Sequence, residues 1–170
     1  MHVKALFQDL AHAAGIIYSL MVEFPPEEAR QRPAPGAWSA LEVLGHLIEE
    51  ERHDFRPRLE GVLFHPEQSW TPIDPASAPE LAHYNQRDLD EVLSEFMRER
   101  ERSVVWLDRI RETADWEATY PAPSGPIRAG DLLAAWVAHD TLHLRQLVEL
   151  RYARQRRLAE PYRVDYAGEW

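Results

Sequence analysis

Two histidines four residues apart, His139 and His143, are the residues of this chain best spaced to do chemistry. They lie in Ala134-Ala135-Trp136-Val137-Ala138-His139-Asp140-Thr141-Leu142-His143-Leu144-Arg145-Gln146-Leu147, which reads as a helix. At 3.6 residues per turn they stand one above the other on one face, and Leu132, Trp136, Leu147 and Leu150 fall on the same side. Imidazoles at i and i+4 can converge on one metal ion, as in the helical zinc motif HExxH. Asp140 stands where that motif carries its Glu, so the general base of a metalloprotease is missing. Asp140 itself points roughly 80–100° away from the histidine face and reads as structural.

A third histidine, His46, lies in Trp38-Ser39-Ala40-Leu41-Glu42-Val43-Leu44-Gly45-His46-Leu47-Ile48-Glu49-Glu50. Ser39 followed three residues later by Glu42 is a capping box, which sets the start of a helix. Trp38, just before the cap, is spaced to pack on Val43 as a hydrophobic staple. Leu41, Leu44, Ile48 and Phe55 form the core stripe, with Val43 and Leu47 on its shoulder. His46 falls at the stripe's edge, alongside Glu49, Glu50 and His53. An edge position suits a metal site that opens to a cleft, because a catalytic ion needs a free coordination position. Glu50, one turn after His46, is placed to orient a ligand or accept a proton, whereas Glu49 reads as part of a solvated face.

The elements that must carry these groups follow from periodicity and punctuation. Leu6, Leu10, Ala13, Ile17, Leu20 and Phe24 predict a first helix over residues 3–24, with His12 on its flank and Pro25-Pro26 as its stop. Pro57 is expected to end or kink the second helix. Residues 61–79, with Pro66, Pro72, Pro75 and Pro79 around Trp70, read as a functional loop or a lid. A third helix is expected from Glu80 to about Arg111, its core positions including Leu81, Tyr84, Leu89, Val92, Leu93, Phe96, Val104 and Leu107. Its charge run Arg98-Glu99-Arg100-Glu101-Arg102 reads as a solvated face. Residues 113–130 read as a Pro/Gly connector without strand-like alternation. Asp131 or a close neighbour caps a fourth helix reaching about Arg157, and the aromatic tail 162–170 is expected to pack back or sit between subunits. Together these predict one all-α domain over residues 1–170: a four-helix bundle with long Pro-rich connectors.

Composition bounds the partners. The net charge of −10, with basic residues interspersed among acids, argues against nucleic acid or an anionic membrane. With no cysteine, disulfides, thiolate catalysis and Cys-ligated zinc are excluded, so any metal must be held by His and carboxylate. No apolar run approaches the roughly 18 residues of a membrane span, and the N-terminus lacks an apolar signal core, so a cytoplasmic protein is expected.

At Trp38-Ser39-x-x-Glu42-x-x-x-His46-Leu47, followed about ninety residues later by His139-Asp140-x-x-His143, the sequence resembles the DinB/YfiT-like family. The agreement covers nearly the whole chain in helix order. The resemblance implies a four-helix bundle with a three-histidine metal site at one end, and His46, His139 and His143 as its ligands. It further implies a divalent ion such as zinc or nickel, and a metal-dependent transferase, isomerase or hydrolase acting on a small-molecule electrophile. Family members with known activity use a low-molecular-weight thiol, and homodimers are common among them. Without a cysteine of its own, this chain would take the sulfur nucleophile from such a cosubstrate.

Two other readings compete. Glu50-x-x-His53 and Glu80-x-x-His83 fit by letter the Glu-x-x-His motif of di-iron carboxylate bundles. A non-enzymatic dimeric bundle with a stress-related or binding role would keep the helices and use the histidines only structurally.

Overall fold

The computed structural model describes residues 2–122 and 125–168, and its architecture is four long helices joined by two elaborate connectors. Helix α1 is Val3–Met21, and buries Leu10, Ala13, Ala14, Ile17 and Met21. Helix α2 is continuous through Ala40–Glu50, a π-helical turn Glu51–Phe55, and Arg56–Phe64. Helix α3 is Leu89–Ile110, and α4 is Ala129–Ala159. Helix α1 packs along α3 and α4, and the first half of α2 packs on the same two. Among the described residues, no helix is long and apolar enough to cross a membrane.

The start of α2 is built as its capping box requires. The Ser39 hydroxyl accepts from the Glu42 N–H (3.1 Å), while the Glu42 carboxylate accepts from the Ser39 N–H (3.0 Å) and from Arg32. Pro57 does not end this helix. It lies in the first turn of Arg56–Phe64, where a missing N–H removes little, and the ladder upstream widens into the π turn. The turn lets Glu51 and Phe55 both face the interior.

Helix α3 begins nine residues later than expected. Asp88 is its N-cap, accepting from the N–H groups of Asp90 (2.9 Å) and Glu91 (3.1 Å). Upstream the chain makes only a turn of helix at Ala78–Leu81, a left-handed His83 (φ 56°) and a 3₁₀ turn at Tyr84–Gln86. Leu81, expected in the core, is 73% exposed, whereas Tyr84 is fully buried. The reason lies across the bundle: the Tyr84 ring rests on Gly45 of α2, and its hydroxyl donates to Glu49 (2.7 Å). Glu49 is therefore partnered and half-buried rather than solvated, because residues 78–86 cover that side of α2.

A Cβ at Gly45 would lie 2.3 Å from Tyr84 Cγ, with ring atoms on both sides of it. Gly45→Ala must expel a buried aromatic ring and strand Glu49. We expect a loss of about 3 kcal/mol, seen as a fall of roughly 6–12 °C in thermal melting.

The second connector contains a hairpin that sequence patterning misses. Thr119–Ala122 (β1) pairs antiparallel with Gly125–Arg128 (β2), with Tyr120 opposite Ile127 and Pro121 opposite Pro126. Four-residue strands with a facing proline pair show no alternation to read. Pro123 and Ser124, between the strands, lie outside the described residues. The hairpin serves the long loop after α2: Tyr120 stacks on Trp70 (4.2 Å between centroids), and its hydroxyl accepts from the Trp70 N–H (3.1 Å). Arg58 lies over the same indole at 4.9 Å. Asp131 caps α4 from its first turn, accepting from the Arg128 N–H (3.1 Å). In the tail, Tyr162 and Tyr166 stand exposed rather than packed back; Glu169 and Trp170 lie outside the described residues.

Candidate metal centre

His46 on α2 and His139 and His143 on α4 meet at one point. The Nε2 atoms of His46 and His143 each lie 3.1 Å from Nε2 of His139, and all three ligating atoms fall within 4.8 Å of one another. The helical spacing of the pair and the antiparallel packing of α2 on α4 produce this meeting. Two nitrogens each about 2.0–2.1 Å from a tetrahedral ion stand roughly 3.3 Å apart, so the observed spacing fits a shared cation. Among the described residues this is the one group of three or more His, Cys, Asp or Glu side chains arranged to hold a metal.

The far side of two rings is tied down. Nδ1–H of His46 donates to the Pro75 carbonyl (3.2 Å), and Nδ1–H of His143 donates to Oε1 of Gln146 (2.9 Å). Each bond fixes the tautomer that leaves the Nε2 lone pair facing inward. Pro75 lies in the loop read from sequence as a lid; one role of that loop is thus to orient a ring. The third ring differs: Nδ1 of His139 is buried without a hydrogen-bond partner.

Aromatic rings wall the cluster. Trp38 packs against the core that contains Val43, and its indole also lies 4.7 Å from the His46 ring and 6.2 Å from that of His143. Phe55, turned inward by the π turn, sits 5.1 Å from His139 and stacks on Trp136 (5.6 Å). Burial depresses the imidazole pKa values, to about 4 for His46 and about 3 for His139, with mutual repulsion adding to it; His143 is lowered by the same burial. All three rings are neutral at pH 7, the state a metal ligand must have.

Glu50 occupies a different wall. It is 5% exposed and lines a cleft of about 430 Å³ with Glu49, His53, Ile73 and Pro75. Burial pushes its carboxyl up to about 8, with Asp54 close by adding to the shift. The folded protein therefore holds an extra proton between about pH 4.5 and 8. The stability this contributes is complete below 4.5 and is lost as pH rises through 8. The three histidines, held neutral in the fold, oppose this trend below pH 6.5 and leave only the part of the window above 6.5 undisturbed. Melting of metal-free protein should fall between pH 6.5 and 9. Glu50→Gln should flatten the profile and melt about 5 °C or more above the wild type at pH 9.

The carboxylate pattern of a di-iron site does not assemble. Glu80 and His83 are exposed, on the short turns before α3, while Glu50 and His53 face the cleft. His12 is exposed on α1. Not anticipated from sequence were Gln146 and Pro75 as partners of the rings, and Trp38 and Phe55, read as staple and core, as walls of the cluster. Of these only Gln146, three residues after His143 on the same helix, carried a readable signal.

The model of the DinB superfamily matches residues 10–147. The solved structure of YfiT from Bacillus subtilis, described as a probable metal-dependent hydrolase with an unusual four-helix bundle topology, is similar in fold. It matches with a TM-score of 0.77 at 17% identity, covering 90% of this chain and 87% of that chain. No protein of curated function matches the sequence.

Proposed function

The chain belongs to the DinB superfamily, and from that premise we propose that it is a metal-dependent enzyme acting on a small-molecule electrophile. His46, His139 and His143 hold a single divalent ion, zinc or nickel, and the nucleophile is water or the sulfur of a low-molecular-weight thiol. The observation that carries this reading is the convergence of three neutral imidazole nitrogens from two helices on one point.

When bound, the ion supplies Lewis acidity, polarising a substrate oxygen and making a nucleophilic hydroxide or thiolate accessible near neutral pH. The protein's own contribution is to aim and dry the site. Pro75 and Gln146 hold the tautomers of His46 and His143. Trp38 and Phe55 keep water from the flanks of the rings. Glu50, one turn from His46 and titrating near pH 8, is the group we assign to receive or return a proton at its carboxyl oxygen. The same reading, through the family resemblance, extends to a homodimer.

The test is a reaction screen with metal-loaded and chelator-treated protein, each with and without a panel of low-molecular-weight thiols and electrophilic acceptors. Turnover should require the ion. Dependence on a thiol would mark S-transfer, and turnover without thiol would mark hydrolysis. A variant with His46, His139 and His143 all changed to alanine should be inactive; full activity in that variant would overturn the catalytic reading.

A further inference from the structure

One arginine reaches all four helices. Arg100 of α3 donates through Nη1 to the Leu10 carbonyl of α1 (2.8 Å) and through Nη1 and Nη2 to both oxygens of Asp140 on α4 (2.6 and 2.9 Å). Its Nε donates to Glu51, the first residue of the π turn in α2, and the other Glu51 oxygen accepts from the Ser103 hydroxyl. Arg100, Glu51, Ser103 and Asp140 are each 2% exposed or less.

Two of the three imidazoles are aimed by their own Nδ1 hydrogen bonds, and His139 has none. The residue beside it in sequence, Asp140, is gripped at both oxygens by Arg100. Through Glu51 the same guanidinium is tied to α2, five residues beyond His46. We propose that the Glu51–Arg100–Asp140 clasp is the positioning device of the metal centre. It holds the backbone at His139 and fixes the register of α4 against α2, so that the His pair meets His46. Asp140 and Arg100 are positioning residues: no direct bond joins them to the histidine nitrogens, and they act through the helices that bear them.

This inference rests on the metal-site reading above, and one experiment separates the two. Zinc affinity is measured by competition with a chromophoric chelator, and the visible spectrum of the cobalt-substituted protein is recorded. Wild type, Asp140→Asn, Arg100→Lys and Ser103→Ala are compared at a temperature where circular dichroism shows each folded. Glu99→Gln is the control, since Glu99 is equally buried but pairs with Arg52, Arg56 and Arg102 rather than with Arg100 or Asp140.

The expected result is a loss of about 10–100-fold in affinity for Asp140→Asn and Arg100→Lys, the range typical of an outer partner of a metal ligand. The cobalt spectrum should shift, and a double variant combining Asp140→Asn with Arg100→Lys should be little worse than either single one. Ser103→Ala should show a smaller loss in the same direction. Glu99→Gln should lower the melting temperature and leave affinity and spectrum unchanged. Affinity within twofold of wild type in Asp140→Asn or, should that variant not fold, in both Arg100→Lys and Ser103→Ala would overturn the clasp while leaving the metal site standing. Absence of binding by wild type would overturn the site itself.

Discussion

Replacing Arg100 by methionine will lower the melting temperature by about 10 °C or more, the largest fall expected from a single substitution outside the histidine cluster. Methionine matches the bulk of the arginine stem, so little cavity forms. What it removes is the only positive charge bonded to Asp140 in the described structure, the Nε bond to Glu51, and the donor to the Leu10 carbonyl. Burial already pushes the Glu51 carboxyl up even with Arg100 beside it. Two carboxyl groups would be left in the bundle interior without a counter-charge, a change that costs about 3–5 kcal/mol. At roughly 2–4 °C per kcal/mol for a chain of this length, the fall is measurable by differential scanning calorimetry. Replacing all three charges together, as Glu51→Leu, Arg100→Met and Asp140→Leu, should recover much of that loss, because an apolar core needs no pairing. If Arg100→Met melts within 2 °C of wild type, the cluster does not organise the bundle.

That cluster also marks where sequence reading reaches its limit. Arg98-Glu99-Arg100-Glu101-Arg102 has the alternation of a solvated face, and Arg98, Glu101 and Arg102 are indeed exposed. Glu99 and Arg100 are buried, contrary to that reading, because their partners come from other helices: Arg52, Arg56 and Glu51 on α2, and Asp140 forty residues downstream on α4. Local periodicity carries no record of such long-range pairing. Glu49 and Leu81 fail for a related reason, since the short turns of residues 78–86 decide their burial. What was legible had local causes. Ser39 and Glu42 satisfy each other within one turn, His139 and His143 are aligned by helix pitch, and the core stripe of α2 is buried as its spacing requires. The third histidine was legible through its place on the helix that cap begins and through family resemblance, while its Nδ1 acceptor, Pro75, lies in a proline-rich loop with no periodicity to follow.

His139→Ala will abolish tight metal binding without unfolding the bundle. Nε2 of His139 is the nitrogen common to both 3.1 Å contacts, so its loss leaves His46 and His143 without the member that bridges them. Two remaining imidazoles cannot complete the set of three protein ligands that catalytic zinc sites use. Affinity should fall by more than about a hundredfold, beyond what losing an outer partner alone produces. The fold should persist because His139 is only half-buried, while its neighbours Phe55 and Trp136 remain stacked. The readout is thermal melting with and without added zinc or nickel. Wild type should gain about 3 kcal/mol of stability at a hundredfold excess of ion over its dissociation constant, and the variant should gain almost none under the same conditions. An equal metal-induced rise in both proteins would remove His139 from the ligand set.

Three imidazoles sharing one ion are tested most directly by elemental analysis of protein purified without a histidine tag, beside its His46→Ala variant. The prediction is one divalent ion per chain in the wild type, and less than a tenth of that in the variant. A wild type that takes up no ion, a ratio of two per chain, or a His46→Ala protein that keeps its full complement would contradict it.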